Sequence, residues 1–113
     1  MKTVKFRDYL VPLVISGKKN STWRLFDDKN LSAGDEIDLK EFGKEQSFGT
    51  AKITRVIEKP FKDLSEEDRQ GHETFSSDKE MYERYSGYYN TEVGPDSVVK
   101  IIWFELLKDA EQR

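Results

Sequence analysis

Among 113 residues there is no cysteine and only one histidine, His72. The first absence excludes disulfides, thiolate metal sites and thiol catalysis. The second leaves no histidine cluster for a metal and argues against a Ser-His-Asp triad. No metal and no cofactor are therefore expected. Long apolar runs are also missing. The longest, Ile101 to Phe104 with its flanks, is interrupted by Lys100 and Glu105, far short of the roughly 20 residues that span a bilayer. The charged start, Met1-Lys2-Thr3-Val4-Lys5, lacks the apolar stretch of a signal peptide. These absences predict a cytoplasmic protein with no membrane partner. With no internal repeat, low-complexity tract or linker, residues 1–113 read as a single domain. A chain of this size buries roughly two-thirds of its unfolded surface and can stand alone; a monomer is expected.

What is present is charge and rings. Charged residues make up 36% of the chain and aromatics 12%, so a solvated exterior surrounds a core that leans on large side chains. The net charge of -3 hides an asymmetry: residues 1–24 carry six basic side chains (Lys2, Lys5, Arg7, Lys18, Lys19, Arg24) against one acid, Asp8. That start is locally cationic in an acidic protein. Long duplex DNA is a poor partner for such a total, because phosphate-driven affinity needs many cations on one face. A small anionic or polar ligand near the first segment fits better.

Along the chain, Thr3 to Phe6 opens as a short strand. Asp8 precedes an apolar stretch, Tyr9 to Ile15, that reads as a short helix with Pro12 early and Gly17 just past its end. Ser21 to Phe26 is a candidate strand with Trp23 and Leu25 on one face and Thr22 and Arg24 on the other. Asp27 to Asn30 and Leu31 to Asp35 are turn chemistry. Ile37 and Leu39 alternate with charged residues in a half-buried strand from Glu36 to Phe42. Phe48 to Glu58 continues as a longer strand with Ala51, Ile53 and either Val56 or Ile57 inward. After Pro60 a helix is predicted at Asp63 to Asp68, with Ser65 and Asp68 in capping-box positions. A second starts at Ser76 or Ser77 and ends near Gly87, with Met81, Tyr82 and Tyr85 at helical spacing. Tyr88 to Asp96 reads as loop. Residues 63–83 carry eight acids against Arg69 and Lys79, most simply a solvated helix surface. Val98 to Phe104 is the strongest strand signal and is too apolar on both faces for an edge. The polar tail from Lys108 is expected to fray. Five or six short strands without a βαβ rhythm, with two or three short helices, argue for an α+β domain built on a small mixed β-barrel.

Chemistry concentrates in residues 17–24. If Ser21 to Phe26 is a strand, Thr22 and Arg24 share a face, and Lys19 can bend toward it from the preceding turn. A point charge, a hydroxyl and a planar guanidinium fork then converge in a manner suited to an anion or a polarised carbonyl. The ordinary alternative is a basic turn that meets a helix dipole, followed by an exposed strand. The pattern Gly17-x-Lys19-x-x-Thr22-x-Arg24, between a helix and a strand, resembles the signature of ASCH domains. The turn Leu31-x-x-Gly34-Asp35-x-Ile37 and the apolar last strand are similar to that family too. The resemblance covers about Phe6 to Leu107.

What the resemblance implies is a PUA-like barrel that binds RNA or a modified nucleoside or nucleotide, with Gly17, Lys18 and Arg24 as binding residues, to which the tyrosine-rich stretch adds Tyr85. It also implies a second activity, because small bacterial members of the family hydrolyse N4-acetylcytidine. Carried over residue by residue, Lys19, Thr22 and Glu73 would be catalytic. Lys19 would take the proton of Thr22 as it attacks the acyl carbon, and Glu73 would serve the leaving amine. Glu66 and Glu67 compete with Glu73, and the adjacent His72 is a rival titrating group, although a lone loop histidine is ordinarily a surface residue. Trp23, Trp103 and Phe104 read as core, whereas some of Tyr82, Tyr85, Tyr88 and Tyr89 are candidates to rim a pocket and stack on a base. A partner-binding role for the acidic helical face is a third alternative.

Overall fold

The computed structural model describes residues 1–26 and 29–107. The elements follow as β1 (Lys2–Phe6), a 3-10 turn (Asp8–Leu10), α1 (Val11–Ser16), β2 (Ser21–Arg24), β3 (Glu36–Glu41), β4 (Ser47–Pro60), a 3-10 turn (Phe61–Asp63), α2 (Asp78–Tyr89) and β5 (Val98–Leu106). The strands form one sheet in the order β1-β3-β4-β5-β2. β1 runs parallel to β3, and the remaining pairs are antiparallel. The sheet curls into a half-barrel with two α-helices, an α+β architecture consistent with a small PUA-like barrel.

Both faces of the sheet are covered, which explains the apolar character of β5. Ile102 and Phe104 join Val4, Ile37, Leu39 and Ile53 inside the curl, with Val14 of α1 closing one end. Val99 and Ile101 point the other way, to Trp23, Phe61, Met81 and Tyr85 under α2. Strict alternation along β4 would send Ile53 and Val56 to opposite faces, yet both pack in the first cluster. A bulge re-phases the strand: Ile53 opposes Phe104 while Arg55 opposes Trp103, leaving Thr54 as the extra residue.

Several expectations need correction. No α-helix forms at Asp63 to Asp68. The reciprocal capping bonds do form, Ser65 N–H to Asp68 Oδ2 at 3.0 Å and Asp68 N–H to Ser65 Oγ at 3.1 Å. They close only a run of turns, because no apolar stripe follows to bury a helix there and Gly71 breaks the chain at φ 81°. The acidic pair of helices is thus one helix preceded by turns. α2 starts where expected, with Ser77 Oγ accepting from Glu80 N–H at 3.1 Å, but runs through Gly87 to Tyr89. It stops at Asn90, in the left-handed conformation at φ 50°. Tyr88 and Tyr89 therefore belong to the helix, not to a loop. β2 ends at Arg24, two residues earlier than expected, because Phe26 turns the chain at φ 56°. Asp27, Asp28 and the tail from Lys108 lie outside the described residues.

Candidate functional site and related structures

Two segments far apart in sequence are clasped together. Asn20 and Ser21 both donate their backbone N–H to the Gly71 carbonyl, at 2.8 and 3.1 Å. Gly71 suits this turn because its φ is 81°, a left-handed conformation that L side chains rarely adopt, and a Cβ there would also force the exposed Asn20 side chain aside. On either side of this clasp, Lys19 and Glu73 meet. Lys19 Nζ lies 2.8 Å from Glu73 Oε1, with the two side chains 3% and 20% exposed. The turn after α1 aims Lys19 inward. Gly17 is left-handed at φ 83° and donates to Val14 O, and Lys19 N–H donates to Leu13 O at 3.0 Å. Gly17 and Lys18 are themselves exposed and do not line the cleft.

The cleft, about 130 Å³, opens between the ends of β1 and β2, residues 72–75 and α2. Lys19, Thr22, Arg24, Glu73 and Tyr85 all line it. Thr22 is buried at 5% exposure on β2. Arg24 donates from Nη2 to the Lys5 carbonyl at 2.8 Å and lies over the Phe6 ring. The carboxylates of Glu66 and Glu67 are exposed on the turn and are not part of the lining.

His72 is the residue that sequence reasoning undervalued. It is buried, not a surface loop residue, and stacks on Trp23 with ring centroids 3.8 Å apart. Its Nδ1 faces the Glu73 carbonyl at 2.8 Å, and its Nε2 faces Glu73 Oε1 at 2.7 Å and Tyr85 Oη at 3.2 Å. Both ring nitrogens thus face oxygens of Glu73, and which of them donates follows the tautomer of the ring. Burial keeps the imidazole below its ordinary range, opposed by the bond to Glu73. Burial pushes Glu73 up, but the bond and charge from His72, with Lys19 beside them, outweigh it and bring Glu73 down to about 2. Burial also lowers Lys19; Glu73 opposes that shift and Arg24 reinforces it. Burial raises Tyr85 well above the ordinary phenol range, so its hydroxyl stays protonated.

The wall is otherwise aromatic and cationic. Trp23, Phe75, Tyr88 and Tyr89 contribute rings, and Lys5, Arg7 and Arg84 add positive charge against the single carboxylate of Glu73. Trp23 serves core and cleft together, packing on Phe61 and Tyr85 while facing His72. Tyr82 is not in the lining. The signal for Arg7 was the cationic bias of the first 24 residues. For His72 it was adjacency to Glu73. Among the described residues no group of three or more metal-ligating side chains is placed to hold a metal, and no helix is long and apolar enough to cross a membrane.

No protein-family profile and no curated protein matches the chain. Solved structures do. Protein EF3133 from Enterococcus faecalis V583, of family DUF984, superposes with a TM-score of 0.73 at 21% identity, over 95% of this chain and 76% of that one. An ASCH domain from Lactobacillus crispatus JV V101 gives 0.67 at 13% identity, over 93% and 79%. ASCH from Zymomonas mobilis gives 0.62 at 15% identity, over 91% and 65%. At these identities the likeness speaks to architecture, and the chain has the fold of ASCH-domain proteins.

Proposed function

We propose that this ASCH-fold chain binds RNA or a modified nucleoside, inserting one base into the cleft beside Lys19, Thr22 and Glu73. The observation that carries this reading is the buried Lys19–Glu73 pair in a cleft shared with Thr22, Arg24 and an aromatic wall. Ligand sites commonly combine an apolar or aromatic lining with a few placed polar groups. At about 130 Å³ the cleft is small beside the roughly 300–1,000 Å³ of typical ligand sites, so a single heterocycle fits and a sugar would extend outside. Titration with cytidine and N4-acetylcytidine tests the reading. Saturable binding that weakens in Thr22→Val and Glu73→Gln supports it, and no binding of either nucleoside or of its monophosphates would sink it.

A second reading is amidohydrolysis of an N4-acetylcytidine-like nucleoside, favoured by the lowered affinity of Lys19 for its proton beside a buried threonine. In that chemistry Thr22 Oγ bonds to the acyl carbon as the C–N bond breaks. The hydroxyl proton passes through Lys19 to the departing N4 amine, and water then releases acetate from Thr22. Glu73, ionised at neutral pH, stabilises the Lys19 ammonium and is a poor donor to the amine. Chromatography of N4-acetylcytidine after incubation decides the matter: cytidine formed by the wild type and lost in Lys19→Ala and Thr22→Ala supports hydrolysis, and none above a protein-free control rejects it.

A further inference from the structure

Most of the cationic groups first assigned to a ligand are committed elsewhere. Lys18 lies outside the cleft, Lys19 is neutralised by Glu73, and Arg24 donates to the Lys5 carbonyl. Arg7 is different. Its guanidinium carbon sits 4.5 Å from the Phe42 ring centroid and 5.0 Å from that of Tyr88, at the cleft wall. Among the described residues no carboxylate ion-pairs with Arg7 or with neighbouring Lys5.

Both rings are anchored. Phe42 N–H donates to Phe6 O at 2.9 Å, pinning the residue after β3 to β1. The Tyr88 hydroxyl is hydrogen-bonded to that of Tyr9, tying α2 to the segment that carries Arg7. Stacking occupies the π face of a guanidinium and leaves its in-plane N–H donors available in a fixed fork. Such a fork matches two oxygens of a phosphate. Arg84 adds a third cation to this wall, loosely paired with Glu80 at 3.4 Å.

We propose that Arg7, held by Phe42 and Tyr88 and assisted by Lys5, forms a phosphate subsite, so that the ligand is a nucleoside phosphate and not a free nucleoside. This rests on the nucleoside-binding reading, with the base in the Lys19–Glu73 part of the cleft and the phosphate at its mouth. Calorimetric titrations at low salt with cytidine, cytidine 5′-monophosphate, cytidine 3′-monophosphate and inorganic phosphate test it in the full chain. One of the two monophosphates is expected to bind roughly tenfold to a hundredfold tighter than cytidine, the range for charged hydrogen bonds. Which one identifies the ester position. That ratio should shrink with salt and fall to near one in Arg7→Ala and Arg7→Gln, the second keeping bulk if the first fails to fold. Equal affinity for cytidine and both monophosphates, or a ratio unmoved by both substitutions, would overturn the subsite and leave nucleoside binding intact. No binding of any cytosine ligand overturns both readings, and inorganic phosphate bound equally well in wild type and Arg7→Gln shows an adventitious ion and also overturns the subsite.

Discussion

Glu73 sits where three demands meet: it neutralises Lys19, receives His72, and has one oxygen, Oε2, buried with no hydrogen-bond partner. Removing its charge strands the Lys19 ammonium. Glu73→Gln is expected to lower stability by about 2 kcal/mol, below the ~3–5 kcal/mol of a fully buried pair because Glu73 keeps some solvent contact. Lys19→Met with Glu73→Leu should recover most of that loss, and urea denaturation of the two variants checks it. The pH dependence follows from the directions of the shifts. Glu73 and His72 both hold protons less tightly when folded than when unfolded. Their stabilisation is complete above the unfolded histidine range near 6.5. It is lost as pH falls, first for His72 and then, below about 4.5, for Glu73 toward its folded value of about 2. Urea midpoints measured between pH 7 and 3 should therefore fall on acidification, and less so in Glu73→Gln. The family resemblance pointed to Lys19 and Glu73, and the fold brings these two side chains into contact. The sequence concealed His72, because burial of a loop histidine depends on Trp23, forty-nine positions earlier in the chain.

At the scale of elements, local rules worked where one segment decides its own structure. Ser77 caps α2 by accepting from Glu80 N–H, and Ser77→Ala should cost about 1 kcal/mol, read from the thermal midpoint. Alternation along β3 put Ile37 and Leu39 inside, and both are fully buried. Rules failed where a competing contact intervenes. The capping box at Ser65 formed without its helix, since Asp68 is drawn to Lys59 on β4 at 2.6 Å. The bulge at Thr54 left no trace in the hydrophobic pattern. The clasp at Gly71 was likewise hidden, because a glycine among polar residues looks like any other turn. Gly71→Ala would put left-handed strain into the clasp and turn the exposed Asn20 side chain aside, loosening the loops that bear Lys19 and Glu73. A loss of about 1–2 kcal/mol is expected from the left-handed strain, with amide exchange at Asn20 and Ser21 rising more than at β3 and β4.

For the whole molecule, the half-barrel has two edges, β1 and β2, with no ladder between them. Side chains bridge that seam: Arg24 of β2 donates to the Lys5 carbonyl, and Lys29 Nζ donates to the Thr3 carbonyl of β1. Arg24→Ala is thus expected to loosen the barrel by about 2 kcal/mol, a charged hydrogen bond to a backbone oxygen. Faster hydrogen exchange in β1 would separate this from a pure ligand contact. The five-strand α+β class could be read in advance because alternation and turns repeat along the chain. The seam could not, because it depends on how far the sheet curls. The same stack that buries His72 gives the molecule a built-in optical probe. Of its two tryptophans, Trp23 lies flat on the imidazole at 3.8 Å, whereas Trp103, at the margin of the same apolar cluster, lies under Arg55 at 4.9 Å. Emission from Trp23 will therefore change with the protonation of His72 and with any ring that enters the cleft, and a Trp103→Phe chain would display that signal alone, without a label.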